Sequence, residues 1–166
     1  MLDSIKAFFA DLTSGLKPQE HFAEDDYRLA AVALMIHVIG IDGKVTEAER
    51  AMLNRVVRYR FNLDEAEALQ LIEDATEKEG EAVDMYHFTS LLNRSLDDEG
   101  RRRIVEMLWE MTYADGQANE FEENVIWRIA DLLHVPSRER IALRQQVAKE
   151  ADASAAKAEA EKAESK

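Results

Sequence analysis

The chain has 166 residues, which is enough for one domain with a sizeable core. Its low content of proline (2) and glycine (6) favours an all-α fold, because helix interiors exclude both residues. Its net charge of −13 repels the phosphate backbone, so nucleic acid is not expected as a partner, whereas a cation or a basic protein is. The chain has no cysteine, which excludes disulfides and cysteine-ligated metal or iron–sulfur sites.

Residues 1–20 are predicted to form an amphipathic helix. Its large apolar side chains recur at helical spacing and are Ile5, Phe8, Phe9, Leu12 and Leu16. A membrane-surface anchor and a helix docked on the core both fit this stripe, and the docked helix is favoured because the polar face carries one lysine. No signal peptide or membrane span is expected. The expected compartment is the cytoplasm, with peripheral attachment at the inner membrane face left open.

Residues 29–41 form a nearly all-apolar run whose one strongly polar member is His37. A helix without a polar face belongs at the centre of its domain, so this segment is predicted to be the buried central helix. His37 is interpreted as a hydrogen-bonded core histidine rather than a metal ligand. After the Asp42-Gly43 turn, Thr46 and Glu49 have the capping-box spacing that begins the next helix.

The remaining chain predicts further helices beginning near Asp64, Val83, Asp97, Asn119 and Pro136. The acid-rich residues 73–81 are expected to fray or to be exposed. The last core helix is expected to bury Ile141, Leu143 and Val147. Residues 21–150 are therefore predicted to be one helical domain. Residues 151–166 contain no aliphatic side chain larger than alanine, which predicts an Ala/Glu/Lys-rich solvated tail.

An internal repeat carries the main motif of the sequence. Asp42-Gly43 with Glu47 and Glu49 recurs, at one constant spacing, as Asp115-Gly116 with Glu120 and Glu122. Each copy has an apolar helix before the turn and an amphipathic helix after it. The repeat predicts one compact domain of about seven to eight helices, built from two pseudo-symmetric helical hairpins.

The acidic residues of the repeat are the candidate binding site. The candidate metal ligands are Asp42, Glu47, Glu49, Asp115, Glu120 and Glu122. The two aspartates are predicted at helix C-termini, where the helix dipole disfavours negative charge, so an Asx turn, a bound cation or a basic partner must compensate. Capping boxes on Thr46 and Asn119 offer a structural explanation for Glu49 and Glu122. Both interpretations stay open, and a weakly bound divalent cation is the one cofactor that the pattern allows.

A tight, standard EF-hand calcium site is not expected, because the first half of its calcium loop is missing from both copies of the repeat. The ligand positions there are occupied by Val38 and Gly40 in the first copy and by Met111 and Tyr113 in the second. The sequence also lacks a paired-histidine motif, a nucleophile elbow and a phosphate-binding glycine loop, so no enzymatic activity is expected. Arg101-Arg102-Arg103 follows three acidic residues and is interpreted as a self-neutralising helix start.

The two Asp-Gly turns, the glutamate-bearing helices after them and the intervening residues 84–89 resemble the TerB-like tellurite-resistance family over residues 25–148. This resemblance implies an all-helical, non-enzymatic domain with one acidic face, of the kind found in tellurite and stress-response operons and beside J-domains in membrane-anchored co-chaperones. We therefore expect a tellurite or stress-response module that binds a divalent cation or a basic or membrane-associated protein. The alternative is a protein-interaction or co-chaperone-type adaptor with an apolar groove and purely structural acidic turns.

Overall fold

The computed structural model describes residues 22–41, 43, 45–81, 85–113 and 119–164. These ranges contain helices and no strand, which confirms the predicted all-α fold. The helices are α1 (Tyr27–Ile39), α2 (Glu47–Arg60), α3 (Glu65–Glu81), α4 (Tyr86–Ser95), α5 (Asp98–Thr112), α6 (Glu120–Leu132) and α7 (Ser137–Glu164). The predicted N-terminal helix in residues 1–20 lies outside the described residues.

Helix α1 is the buried centre of the fold, as its apolar sequence predicts. It contacts α2, α3, α4, α5 and α6, and most of its side chains are inaccessible to solvent. The carboxylate of Asp26 caps its first turn by accepting a hydrogen bond from the amide of Arg28 at 2.9 Å. His37 is hydrogen-bonded, with Nδ1 3.2 Å from Glu79 Oε1, but it is half-buried at the edge of the core rather than inside it.

The two predicted hairpins, α1–α2 and α5–α6, share one core. Helices α1 and α5 pack against each other, α2 packs on α5, and α6 packs on α1. The second helix of each hairpin therefore packs on the first helix of the other hairpin. A pseudo-two-fold axis that relates the two hairpins requires such reciprocal packing. Leu34, Val57, Leu108 and Ile126, one from each of the four helices, belong to the same buried cluster. The repeat in the sequence is thus a repeat in the packing.

In helix α3, residues 73–81, expected to fray or to be exposed, do not fray, and five of these nine residues are exposed. The helix continues to Glu81, and Asp74 and Ala75 are buried. Asp74 is held on both sides, because its Oδ2 accepts a hydrogen bond from the amide of Phe22 at 3.0 Å and its Oδ1 accepts one from Gln70 at 2.9 Å. A buried carboxylate with such partners fastens the start of the chain to α3 instead of loosening the helix.

Two arginines of helix α7 contact the body of the domain. Arg140 donates hydrogen bonds to the carbonyl oxygen of Val135 at 2.6 Å and to that of Trp127 at 3.4 Å. Arg144 donates to the hydroxyl of Tyr113 at 3.3 Å, and its guanidinium carbon lies 5.5 Å from the centroid of the Trp109 ring. The guanidinium groups therefore replace much of the apolar contact that other helices make.

The apolar side chains of α7 contribute less than its sequence predicted. Val147 is buried and Leu143 is partly buried against the core, but the expected burial of Ile141 is wrong, because 47% of this residue is exposed. The helix continues through residues 151–164, which are exposed apart from half-buried Ala151. None of the helices in the part of the chain that the structure describes has the length and apolarity needed to cross a bilayer.

Candidate functional site

The structure describes four of the six predicted ligands. Glu47 and Glu49 lie in the first turn of α2, and Glu120 and Glu122 lie in the first turn of α6. The turn glycine of the first copy, Gly43, has a φ of 76°, which favours glycine as the repeat predicts. Asp42 and Asp115 lie outside the described residues, as do residues 116–118 of the second turn.

One glutamate of each copy is buried. Glu49 is 6% exposed and Glu122 is 2% exposed, although both begin helices at the surface of the domain. A carboxylate loses hydration on burial and needs compensating donors, and the positive end of the helix dipole supplies part of that compensation. The equivalent burial of Glu49 and Glu122 makes them part of the frame that fixes where α2 and α6 begin.

The predicted capping box at the start of α2 is present. The Thr46 hydroxyl accepts a hydrogen bond from the amide of Glu49 at 3.1 Å, and Glu49 Oε2 accepts one from the amide of Thr46 at 3.1 Å. At the start of α6 the side chain of Asn119 accepts a hydrogen bond from the amide of Phe121 at 2.8 Å. Both helices therefore start at side-chain caps directly after the acidic turns.

The other glutamate of each copy faces solvent. Glu47 and Glu120 are exposed, and neither makes an ion pair or hydrogen bond with the part of the chain that the structure describes. They lie at the same helix position as each other, two residues before the buried glutamate. Their carboxylates are therefore available to a ligand, while Glu49 and Glu122 hold the backbone.

Residues 22–41, 43, 45–81, 85–113 and 119–164 bring no three histidine or acidic side chains close enough together to hold a metal ion. A metal centre built from the predicted residues therefore needs Asp42 or Asp115 in addition to the described glutamates. Carboxylate oxygens are the donors that hard cations such as Ca²⁺, Mg²⁺ and Mn²⁺ prefer. The chemistry of the predicted donor set fits such a cation.

Exposed apolar residues flank the acidic turns, and sequence reasoning missed their exposure. Ile41 and Val45 border the first turn and are 40% and 39% exposed, and Phe121 lies in the first turn of α6 with 66% exposed. Phe121 sits between two glutamates in the sequence, which was the available signal for a solvent-facing aromatic residue. Acidic and apolar side chains together suit a partner that presents basic and apolar groups.

A partly buried cluster of one arginine and two glutamates joins the two hairpins on another face. Arg60 at the end of α2 contacts Glu106, at 3.1 Å, and Glu110, both on α5. Burial raises the pKa of Glu110 above its ordinary value even though the hydrogen bond and charge of Arg60 act against that rise. Glu106 and Glu110 are four residues apart and so lie on one face of α5, but no local sequence pattern pairs them with Arg60.

The same face carries a cleft of about 720 Å³ between α2, the end of α5 and α7. Met52, Val56 and Tyr59 line it on the α2 side, and Val147 and Ala151 line it on the α7 side. Tyr59 is 82% exposed, although its helical spacing with Met52 and Val56 places it on the apolar side of α2. The cleft corresponds to the apolar groove of the alternative adaptor hypothesis.

Comparison with known proteins agrees with this architecture. A family model described as tellurite resistance protein TerB matches residues 28–145. Among solved structures, the crystal structure of a protein of unknown function from Porphyromonas gingivalis is similar, with a TM-score of 0.57 and 19% sequence identity. The alignment covers 77% of this chain and 99% of that chain, and at this identity it shows a shared fold. A comparison with curated proteins found no match.

Proposed function

The chain belongs to the tellurite resistance TerB family, and we propose that it is a non-enzymatic tellurite and stress-response module that binds a divalent cation or a basic protein through its two acidic turns. The family match spans both hairpins and both turns. The proposal places the module in the cytoplasm or at the inner face of the membrane. Its ligands are the carboxylates of Asp42, Asp115, Glu47 and Glu120.

The observation that carries this proposal is the difference in burial between the two glutamates of each copy. Glu49 and Glu122 are buried at helix starts, whereas Glu47 and Glu120 are exposed and unpaired within the part of the chain that the structure describes. Glu49 and Glu122 already place negative charge at the N-terminal ends of α2 and α6, where the helix dipole is positive. Glu47 and Glu120 also lie in first turns, where the dipole favours negative charge, but their exposed carboxylates make no ion pair or hydrogen bond with the described residues and stay open to a ligand.

A second candidate function is favoured by the cleft between α2 and α7. An adaptor would hold an apolar partner there, and its acidic turns would only start helices. The capping box of Thr46 and Glu49 supports this view of the turns, because it accounts for Glu49 without a ligand. The two candidates differ in whether the charge of Asp42 and Asp115 matters for binding.

Substitution by asparagine separates them. Asp42→Asn and Asp115→Asn keep the side-chain oxygen that an Asx turn needs and remove the negative charge. We expect each variant to keep its stability and to lose divalent-cation affinity in a calorimetric titration. If the two turns form one site, each single variant should lose nearly as much affinity as the double variant, because groups acting as a unit are non-additive.

Glu65→Gln is the matched control. Glu65 is an exposed first-turn glutamate of α3 outside the repeat, so its substitution should leave cation binding unchanged. A double variant, Asp42→Asn with Asp115→Asn, that binds cations and basic proteins as the wild type does would refute the proposed site.

A further inference from the structure

The cleft between α2 and α7 has the shape of a helix-binding groove. Helices α2 and α7 both pack on α5, whose Glu110 and Tyr113 line the cleft. Met52, Val56 and Tyr59 follow one another along α2 at helical spacing. Side chains at such spacing form a ridge parallel to the helix axis, so the groove between α2 and α7 can receive a third helix.

The opposite wall is made of small or medium-sized side chains apart from Glu150. Val147, Ala151, Ser154 and Ala155 line the groove along α7. Their size leaves room for large apolar side chains from an occupant, and the exposed ring of Tyr59 on the α2 wall provides a surface for them. The wall extends beyond residue 150, so the first residues of the otherwise solvated tail help to form the groove.

The base of the groove suits apolar contact despite its charged residues. Arg60 lies there, and its guanidinium is neutralised by Glu106 and Glu110. The side chains of Arg60, Glu106 and Glu110 are 23%, 19% and 22% exposed, so water already has limited access to them. An apolar side chain placed over them therefore displaces little bound water.

We propose that this α2–α7 groove is the docking site for residues 2–16 of the same chain, bound as an amphipathic helix. This inference is independent of cation binding at the acidic turns. It also gives the apolar stripe of the N-terminal segment a surface to bury against. That stripe consists of Ile5, Phe8, Phe9, Leu12 and Leu16.

The path of the chain supports this occupant. Phe22 is fixed by the hydrogen bond from its amide to Asp74, and its ring lies 4.9 Å from the guanidinium carbon of Arg28. The next residue, Ala23, lines a second cleft, of about 550 Å³, together with Arg60, and Arg60 also lines the α2–α7 groove. The chain thus enters the described fold beside the groove. Residues 17–21 span up to roughly 17 Å when extended, which allows residue 16 to reach it.

The dimensions of the segment and the groove agree. From Met52 to Arg60 the α2 wall is about 12 Å long, at 1.5 Å per helical residue. The part of the stripe from Phe8 to Leu16 has the same length, about 12 Å. Four of the five large apolar side chains would therefore contact the groove at once.

The charge of the segment argues against a membrane as its partner. Residues 2–16 contain Lys6 as their one basic residue, beside Asp3 and Asp11. Helices that lie on anionic membranes are rich in lysine and arginine on their polar face. A groove within the same molecule requires no such charge.

Paramagnetic relaxation enhancement tests the docking directly. Because the chain has no cysteine, Ala7→Cys gives a single labelling position, and Ala7 lies on the face of the predicted helix opposite the stripe. A nitroxide there should broaden the amide signals of groove residues such as Met52, Tyr59 and Ala155. The amides of α3, such as that of Glu73, should remain sharp.

Two pairs of variants control this experiment. Phe8→Glu places a charge in the stripe and should abolish the broadening, whereas Ala10→Glu lies off the stripe and should preserve it. Ser154→Trp fills the groove and should also abolish it, whereas Ala156→Trp, on the opposite face of α7, should not. Phe8→Glu should also lower Tm by roughly 4 °C or more, as expected when several apolar side chains lose their burial.

Three results would overturn the inference. The first is the absence of broadening in the groove of the labelled, otherwise wild-type protein. The second is broadening that appears only when labelled protein is mixed with unlabelled, isotope-enriched protein, which would assign the groove to a second copy. The third is binding to vesicles of phosphatidylcholine and phosphatidylglycerol that requires Phe8 while the groove amides stay sharp, which would identify a membrane anchor.

Discussion

Thr46 and Glu49 each accept a hydrogen bond from the other's backbone amide, at 3.1 Å in both directions. This reciprocal cap sits directly after the first acidic turn and fixes the start of α2. It makes Glu49 a structural residue, whatever the exposed carboxylates of the same turn bind.

The cap predicts different effects for two substitutions. Thr46→Ala should lower the free energy of unfolding by about 1 kcal/mol, because it removes the hydroxyl that accepts from the Glu49 amide. Glu49→Gln keeps a side-chain oxygen for the Thr46 amide and should cost less than about 0.5 kcal/mol. Urea denaturation measures both. An equal loss in the two variants would show that the negative charge of Glu49, rather than its hydrogen bond, is what the fold requires.

Arg140 should be the most important polar residue of α7. Arg140→Ala removes the hydrogen bonds to the carbonyl oxygens of Val135 and Trp127 and the contact with Asp131 at 3.2 Å. The expected loss in the free energy of unfolding is about 1.5–3 kcal/mol, typical of hydrogen bonds made by a charged group. Arg138→Ala, at an exposed position of the same helix, is the control and should change stability by less than about 0.5 kcal/mol. Similar losses in the two variants would contradict the role of Arg140.

Glu110 should make stability depend on pH. Burial raises the pKa of Glu110 above 4.5, its ordinary value, so the folded protein binds this proton more tightly than the unfolded chain does. Its stabilising contribution is therefore complete below pH 4.5 and is lost as the pH rises through the higher folded-state pKa. Glu110→Gln lacks this titration. The stability of the wild type relative to the variant should fall as the pH rises above 4.5, and a rise would contradict the account.

The end of α7 should be dispensable for folding. Residues 157–164 are exposed, and they lie beyond the part of α7 that lines the groove. Deletion of residues 157–166 should change Tm by less than about 2 °C, and the amides of this segment should exchange rapidly with solvent. A Tm that falls by several degrees would show that the segment packs against the body.

Local sequence patterns predicted the parts of the fold that depend on local chemistry. The apolar run before Asp42 identified α1, because a helix without a polar face can only be central. The spacing of Thr46 and Glu49 identified the start of α2, and the recurrence of the turn revealed the two hairpins. The first two inferences used residues of a single helix, and the third compared two copies of one short pattern.

Contacts between distant segments could not be predicted in this way. Arg60 and Glu110 are far apart in sequence, and only the packing of α2 on α5 brings them together. The exposure of Tyr59 and Ile141 has the same origin, because an amphipathic pattern shows which face is apolar but not whether a neighbouring helix covers it. The burial of Asp74 depends on a backbone amide from another segment, that of Phe22.

The most direct test of the proposed function is a titration of the isotope-labelled protein with Ca²⁺, Mg²⁺ and Zn²⁺, followed by NMR. We expect saturable shifts confined to residues 42–49 and 115–122, and their loss when Glu47→Gln and Glu120→Gln are combined with the two aspartate substitutions. Unchanged spectra in both segments at millimolar metal, together with unaltered binding of basic proteins by the same variants, would contradict the proposal.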